Sequence, residues 1–167
     1  MMYLDRREPP SLPSRGIYTL VVNIPQDIAL KVGSLGLTKI SPGIYVYVGS
    51  AIGSRGEPLR RRVFRHLSRE KRIKWHIDYL LTLNNVHVVA VIAAHTELKL
   101  ECNLVRELIS RGFKPAIRGF GSSDCKCTSH FLRLDGLELT LSSVEESFRH
   151  LGLTPVKLAL WSEAHDN

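Results

Sequence analysis

The stretch GIYTLVVNI, residues 16–24, decides how the fold is read. β-Branched and aromatic residues crowd it and Gly16 and Pro25 punctuate its ends, which is the pattern of a strand. IYVYVGSA at 44–51 repeats that pattern, and ALKVGSL at 29–35 repeats it weakly between the two. The three runs predict an antiparallel meander. Upstream, Pro9, Pro10 and Pro13 interrupt a polar segment, so residues 1–15 are expected to form a flexible arm, with order starting at Gly16.

Residues 58–69 predict a helix, because Pro58 fits a first turn and Leu59, Val63 and Leu67 share one face. Residues 74–83 predict another. The near-continuous apolar run 86–94 reads as a strand buried on both faces, and 96–110 as the best-patterned helix. A long loop rich in Gly, Ser and Cys follows at 114–130, and loops of that length in compact domains are often functional. The end of the chain offers a short strand over 137–141, a capping-box helix start at Ser143 with Glu146, running to Leu151, and a final apolar run over 156–161. The expectation is an α+β fold, an α/β sandwich with a small central antiparallel sheet flanked by helices, over 16–133. A C-terminal extension, 134–167, would pack on the same domain.

A chain of 167 residues buries roughly 68 to 70% of the surface its unfolded form exposes, so it needs no disulfide staple. With 44% hydrophobic and 23% charged residues, the composition excludes the disordered, fibrous and membrane classes. Cys102, Cys125 and Cys127 are too few and too oddly spaced for a secreted disulfide framework, and the N-terminus lacks the apolar centre of a signal peptide. The longest apolar stretch, 88–94, is too short to span a bilayer, so the protein is expected in the cytoplasm, away from membranes. Against 16 acidic residues stand 23 basic ones, a net charge of +7, and such an excess hints at nucleic acid.

Taken as a helix at about 100° per residue, 96–110 puts Leu98, Leu104, Val105, Leu108 and Ile109 on one arc, with Glu101 among them. A carboxylate on an apolar face needs a metal, an Arg or a tight hydrogen-bond set, of which a structural ion pair is the plainest form. On the basic helix, Arg62 and His66 share an edge of the apolar stripe, from which they can reach a cleft without being buried. Arg62 can clamp a phosphate through two parallel bonds, and His66 can move a proton. Around them stand Arg60, Arg61, Arg65, Arg69, Lys71, Arg72 and Lys74, with Arg55 just before. A charge run is commonly a solvated face, but one interrupted by Trp75 and His76 favours contact with a phosphate backbone. Tyr18 and Tyr47, each taken singly, read as core packing.

Their order is more informative. GIY at 16–18, YVG at 47–49, Arg62 with His66 one turn later, and Glu101 on a helix resemble the GIY-YIG nuclease superfamily. GIYVYVGSA, RRVFRHL, KWHIDYLL and GFGSSDCKCTSH narrow the resemblance, which covers about residues 15–133, to a branch that occurs alone or fused to endonuclease III type DNA repair enzymes. The resemblance implies a metal-dependent endonuclease hydrolysing phosphodiester bonds in DNA, with one divalent ion, Mg2+ or Mn2+. It implies catalytic roles for Tyr18, Tyr47, Gly49, Arg62 and His66, and metal binding by Glu101. Arg62 would steady the scissile phosphate while a tyrosine or His66 accepts a proton from the attacking water. The chain departs from the superfamily in a long insertion between Tyr18 and Tyr47, and in a late polar position for which Ser123 and Asp124 are the candidates. Nucleic acid, DNA ahead of RNA, is the expected partner, and a DNA repair glycosylase a further one. The alternative is a non-catalytic nucleic-acid-binding module of a repair system.

The segment DCKCTSH places Asp124, Cys125, Cys127 and His130 close together. Its single-residue cysteine spacing, with no second cysteine pair, disfavours a structural zinc and leaves Cys125 and Cys127 as candidates for a second metal. Asp124 and His130 then read as groups lining the cleft. His76 and Tyr79 share a helix face, and either line the cleft or pack the core.

Overall fold

The computed structural model describes residues 12–53 and 58–160, so residues 1–11 of the expected arm, Arg55 and Trp161 lie outside the described residues. In chain order the elements are β1 (Gly16–Ile24), β2 (Ile28–Lys31), β3 (Leu37–Ile40), β4 (Gly43–Ala51), α1 (Leu59–Leu67), α2 (His76–Leu81), β5 (His87–His95), α3 (Glu101–Ser110), β6 (Lys114–Pro115), β7 (Phe131–Arg133), α4 (Leu137–His150) and β8 (Val156–Ala159). Six strands form one sheet in the order β6-β7-β4-β1-β5-β8, with every pairing antiparallel. The fold is the expected α+β sandwich.

The alternation of a strand explains its two apolar faces. On β1, Tyr18, Leu20, Val22 and Ile24 enter one core while Ile17 and Val21 enter the other. Leu59 and Val63 of α1, Ile77, Leu80 and Leu81 of α2, and Ile28 and Ile40 of the β2–β3 hairpin cover the first face. Leu104, Val105 and Leu108 of α3 and Leu141, Val144 and Phe148 of α4 cover the second. Burying one such aliphatic or aromatic side chain contributes about 1.5 to 3 kcal/mol. β5 feeds both cores, Val91 and Ala93 into one and Ala90, Ile92 and Ala94 into the other, as its unbroken apolar run predicts. No described helix is long and apolar enough to cross a membrane.

Several expectations are corrected. The three N-terminal runs do not form a meander: β1 spends its whole length on β4, from Gly16 opposite Ala51 to Ile24 opposite Gly43. The residues between can only pair with one another, so β2 and β3 make a separate two-stranded sheet. The run at 29–35 ends early, in a 3-10 turn at Gly33–Leu35. The helix expected from residue 96 begins at Glu101, because the Thr96 hydroxyl accepts the Leu98 N–H at 3.1 Å and diverts the chain into a turn, leaving Leu98 exposed. Residues 137–141 are helical: Leu137, Leu139 and Leu141 imitate strand alternation, but Leu141, Val144 and Phe148 at helical spacing are the buried set and Leu139 is exposed. Ser143 and Glu146 therefore sit inside α4 and cap nothing. Order also begins before Gly16, since Leu12 is buried in the first core and the Ser14 carbonyl accepts the Leu59 N–H at 2.8 Å.

Two local contacts hold the elements that carry the polar cleft described below. Tyr18 lies directly across from Gly49, and a Cβ at Gly49 would stand 2.4 Å from the Tyr18 ring. Glycine at 49 is thus a space requirement, and the tyrosine lies flat on its backbone. Between α1 and α2, the fully buried Asp78 carboxylate takes both guanidinium nitrogens of Arg65, at 3.2 and 3.0 Å, and the backbone N–H groups of Lys74 and Trp75, at 2.8 and 2.9 Å. Burial alone would raise this carboxyl. The His66 imidazole, Arg65 and the two backbone donors outweigh it and hold Asp78 well below the usual carboxylate range.

Gly49→Ala should destabilise the chain by about 1 to 3 kcal/mol through overpacking against Tyr18; a thermal midpoint equal to wild type would contradict the close contact. Asp78→Asn should cost about 2 to 3 kcal/mol at pH 7, since charged hydrogen bonds to a buried group are lost. A depressed folded-state carboxyl stabilises fully above its unfolded range, near about 3.9, and loses that stabilisation as pH falls toward the folded value. Urea unfolding should accordingly show the gap between wild type and variant narrowing below about pH 4, and a gap that widens in acid would contradict it.

Candidate active site

Tyr18 and Tyr47 reach the same face of the sheet from β1 and β4 and are both buried. Each rests on a glycine. Tyr47 packs on Gly121, where φ is 68° and a Cβ would come within 2.8 Å of the ring. Burial is the main cause that raises both phenols above their ordinary value, and Glu101 adds to the rise in each, so both hydroxyls keep their protons at neutral pH.

Behind Tyr18 lies His66. The Tyr18 hydroxyl is 2.8 Å from His66 Nε2, and His66 Nδ1, buried without a hydrogen-bond partner among the described residues, lies 3.7 Å from an Asp78 carboxylate oxygen. Burial lowers the imidazole below its ordinary value, against the pull of Asp78, so it is neutral near pH 7. A neutral ring beside a carboxylate favours its proton on Nδ1, which leaves Nε2 to accept from the tyrosine. The sequence placed His66 at a cleft edge; instead it is fully buried behind the cleft-lining rings of Tyr18, Tyr47 and Trp75.

Arg62 is half-buried and does line the cleft. It donates to the Ser50 carbonyl, while its Nε is buried with no partner among the described residues. Trp75 orders three cations by stacking, with Arg62, Arg65 and Lys74 at 5.2, 4.6 and 4.5 Å from its ring centre. The basic block therefore divides. Arg65 serves Asp78; Arg69 donates to the Leu83 carbonyl and His87; Lys71 donates to the His66 carbonyl and is pushed down by burial to about 8. Arg60, Arg61, Arg72 and Lys74 are exposed, and Lys74 reaches the cleft wall.

These groups surround a cleft of about 230 Å³ lined by Tyr18, Tyr47, Gly49, Arg62, Trp75 and Glu101 among others. His76, Ser123, Asp124, Cys125 and His130 also line it. His76 Nδ1 accepts the Gly121 N–H at 2.9 Å, which keeps its one proton on Nε2. Glu101, half-buried in the first turn of α3, and Asp124 are the carboxylates among the described lining residues. Hard oxygen donors beside open, water-accessible space suit Mg2+ or Mn2+, which keep several waters and take one or two carboxylates. The β2–β3 insertion lies to the side, and none of its residues lines the cleft.

The sequence reading missed Trp75 as a cleft residue and Cys102 altogether. Cys102 follows Glu101 on α3, and its thiol lies with those of Cys125 and Cys127 and with the His130 ring, all four donor atoms within 4.8 Å of one another. Burial and the neighbouring thiols raise the Cys102 thiol. Its signal in the sequence was the odd third cysteine, whose partners were a helix away.

No curated protein and no solved structure matches the chain. The family model described as Domain of unknown function DUF123 matches residues 17–153, and the chain belongs to that family.

Proposed function

We propose that the cleft is the active centre of a metal-dependent endonuclease of GIY-YIG type that hydrolyses phosphodiester bonds in nucleic acid, DNA ahead of RNA, in repair or processing. One observation carries the reading: Tyr18, Tyr47, Gly49, Arg62 and Glu101, contributed by β1, β4, α1 and α3, line one cleft. Arg62, fixed by the Ser50 carbonyl and stacked on Trp75, lines the cleft as a held cation for a phosphate oxygen, and such preorganised donors act where charge develops. Glu101, with Asp124 nearby, would hold Mg2+ or Mn2+, which when bound neutralises phosphate and leaving-oxygen charge. Tyr18 takes a proton from the attacking water as it passes its own to His66 Nε2, and Asp78 stabilises the imidazolium that results. Exposed Arg60, Arg61, Arg72 and Lys74 bind the backbone on either side, with a salt-steep affinity. A DNA repair glycosylase remains a natural partner for such a nuclease.

Glu101→Gln should abolish cleavage of branched, damaged and plain duplex DNA in Mg2+ or Mn2+, and Arg62→Lys should lower it about 10²- to 10³-fold. Equal cleavage by Glu101→Gln and wild type would refute the assignment. Salt-dependent binding with no turnover in any metal would make the chain a binding module instead.

The relay works only while His66 is neutral, and burial sets its pKa below the ordinary value near about 6.5. Cleavage should therefore be complete at pH 7 and fall as pH drops through that lowered value. His66→Gln should lose about 10²- to 10⁴-fold and flatten this acid limb. A limb centred above pH 7, or one unchanged in the variant, would rule the relay out.

A further inference from the structure

We propose that Cys102, Cys125, Cys127 and His130 bind one Zn2+ ion in a closed tetrahedral site that splints one wall of the cleft. The distances fit a single small ion. Zinc–sulfur bonds near 2.3 Å and zinc–nitrogen bonds near 2.0 Å put tetrahedral donors about 3.6 to 3.8 Å apart. His130 Nε2 lies 3.3 Å from Cys125 Sγ and 3.9 Å from Cys102 Sγ, and no pair in the group of four exceeds 4.8 Å. Donors this close enclose one ion, whereas an iron–sulfur cluster would interpose several atoms between its thiolates.

The histidine is already set for ligation. His130 Nδ1 is 3.2 Å from the Val48 carbonyl, so that nitrogen carries the proton, and the Nε2 lone pair faces the thiols. A ligating imidazole characteristically donates its other N–H to such an acceptor. The ring is buried, and the carbonyl belongs to β4, next to Tyr47 and Gly49. Thiolate and imidazole donors select zinc over the hard ions that suit Glu101. Neighbouring residues thus serve two different metals, Glu101 the cleft and Cys102 the zinc. On binding, Zn2+ displaces the three thiol protons to solvent and takes the neutral histidine as its fourth ligand. Four protein ligands leave no open position for water, so the ion is structural and not hydrolytic.

Its effect follows from what the ligands join. Cys102 belongs to the first turn of α3, Cys125 and Cys127 to the loop that carries Ser123 and Asp124, and His130 to the segment entering β7. The loop between Phe120 and His130 is otherwise held by a few bonds, from Gly119 to Thr128, His130 to Phe120 and Cys125 to Ser122 along the backbone and from the Gly121 N–H to His76 Nδ1. Free energy of metal binding becomes free energy of ordering that loop against α3 and β4.

The test needs no substrate and stands apart from the nuclease reading. Untagged full-length protein, purified from zinc-supplemented culture, should contain one equivalent of zinc by mass spectrometry. Cys102→Ala and Cys127→Ala should retain at most about a tenth of that. Should either variant fail to fold, wild-type protein reconstituted with Co2+ gives an independent answer. It should show the intense visible bands of tetrahedral cobalt with thiolate charge transfer in the near ultraviolet, and its three thiols should resist alkylation until a chelator is added. Wild-type protein that holds no zinc, or holds iron instead, or gives the weak spectrum of octahedral cobalt, would overturn the proposal.

Discussion

Asp78 is a carboxylate whose side chain is wholly out of solvent, and such a charge persists only when its surroundings satisfy it. Its four hydrogen bonds join α1 to the segment that opens α2: Arg65 comes from the helix, Lys74 and Trp75 from the turn. With those elements locked, His66 has one place to stand, between Asp78 and Tyr18. Trp75 is held in the same turn and stacks with Arg62. The Tyr18–His66 pair and the Arg62 guanidinium at the cleft thus depend on one buried anion.

The same arrangement changes how the net charge of +7 is understood. Part of the basic block near α1 is spent on contacts within the molecule. Arg65 neutralises Asp78, Arg69 and Lys71 tie the end of α1 to its surroundings, and Arg62 is turned toward the cleft. Exposed and outside these contacts are Arg60, Arg61, Arg72 and Lys74, of which Lys74 lines the cleft.

The strands and the cleft were legible in the sequence for different reasons. β1, β4 and β5 are apolar on both faces, so their composition alone identified them, and the ordered tyrosines, Arg62 and Glu101 marked residues that the fold then brings together. What escaped depended on long-range geometry. Leu137, Leu139 and Leu141 fit a strand until Val144 and Phe148 are counted. The Thr96 turn delays α3 by a local hydrogen bond that periodicity does not register. His66 looked amphipathic on its own helix, and the Tyr18, Tyr47 and Trp75 rings that pack on it come from elsewhere in the chain. Cys102 could not be joined to Cys125 and Cys127 by spacing, because β4, α3 and the loop at 116–130 meet only in the folded chain.

The proposed hard divalent ion on Glu101, in the cleft beside Tyr18 and Tyr47, can be located by Mn2+ titration followed by nuclear magnetic resonance. Bound Mn2+ broadens nearby resonances by paramagnetic relaxation. Selective broadening of Glu101, Tyr18 and Tyr47 that disappears in Glu101→Gln is the predicted result. Broadening centred on another surface, or unchanged in that variant, would contradict the account.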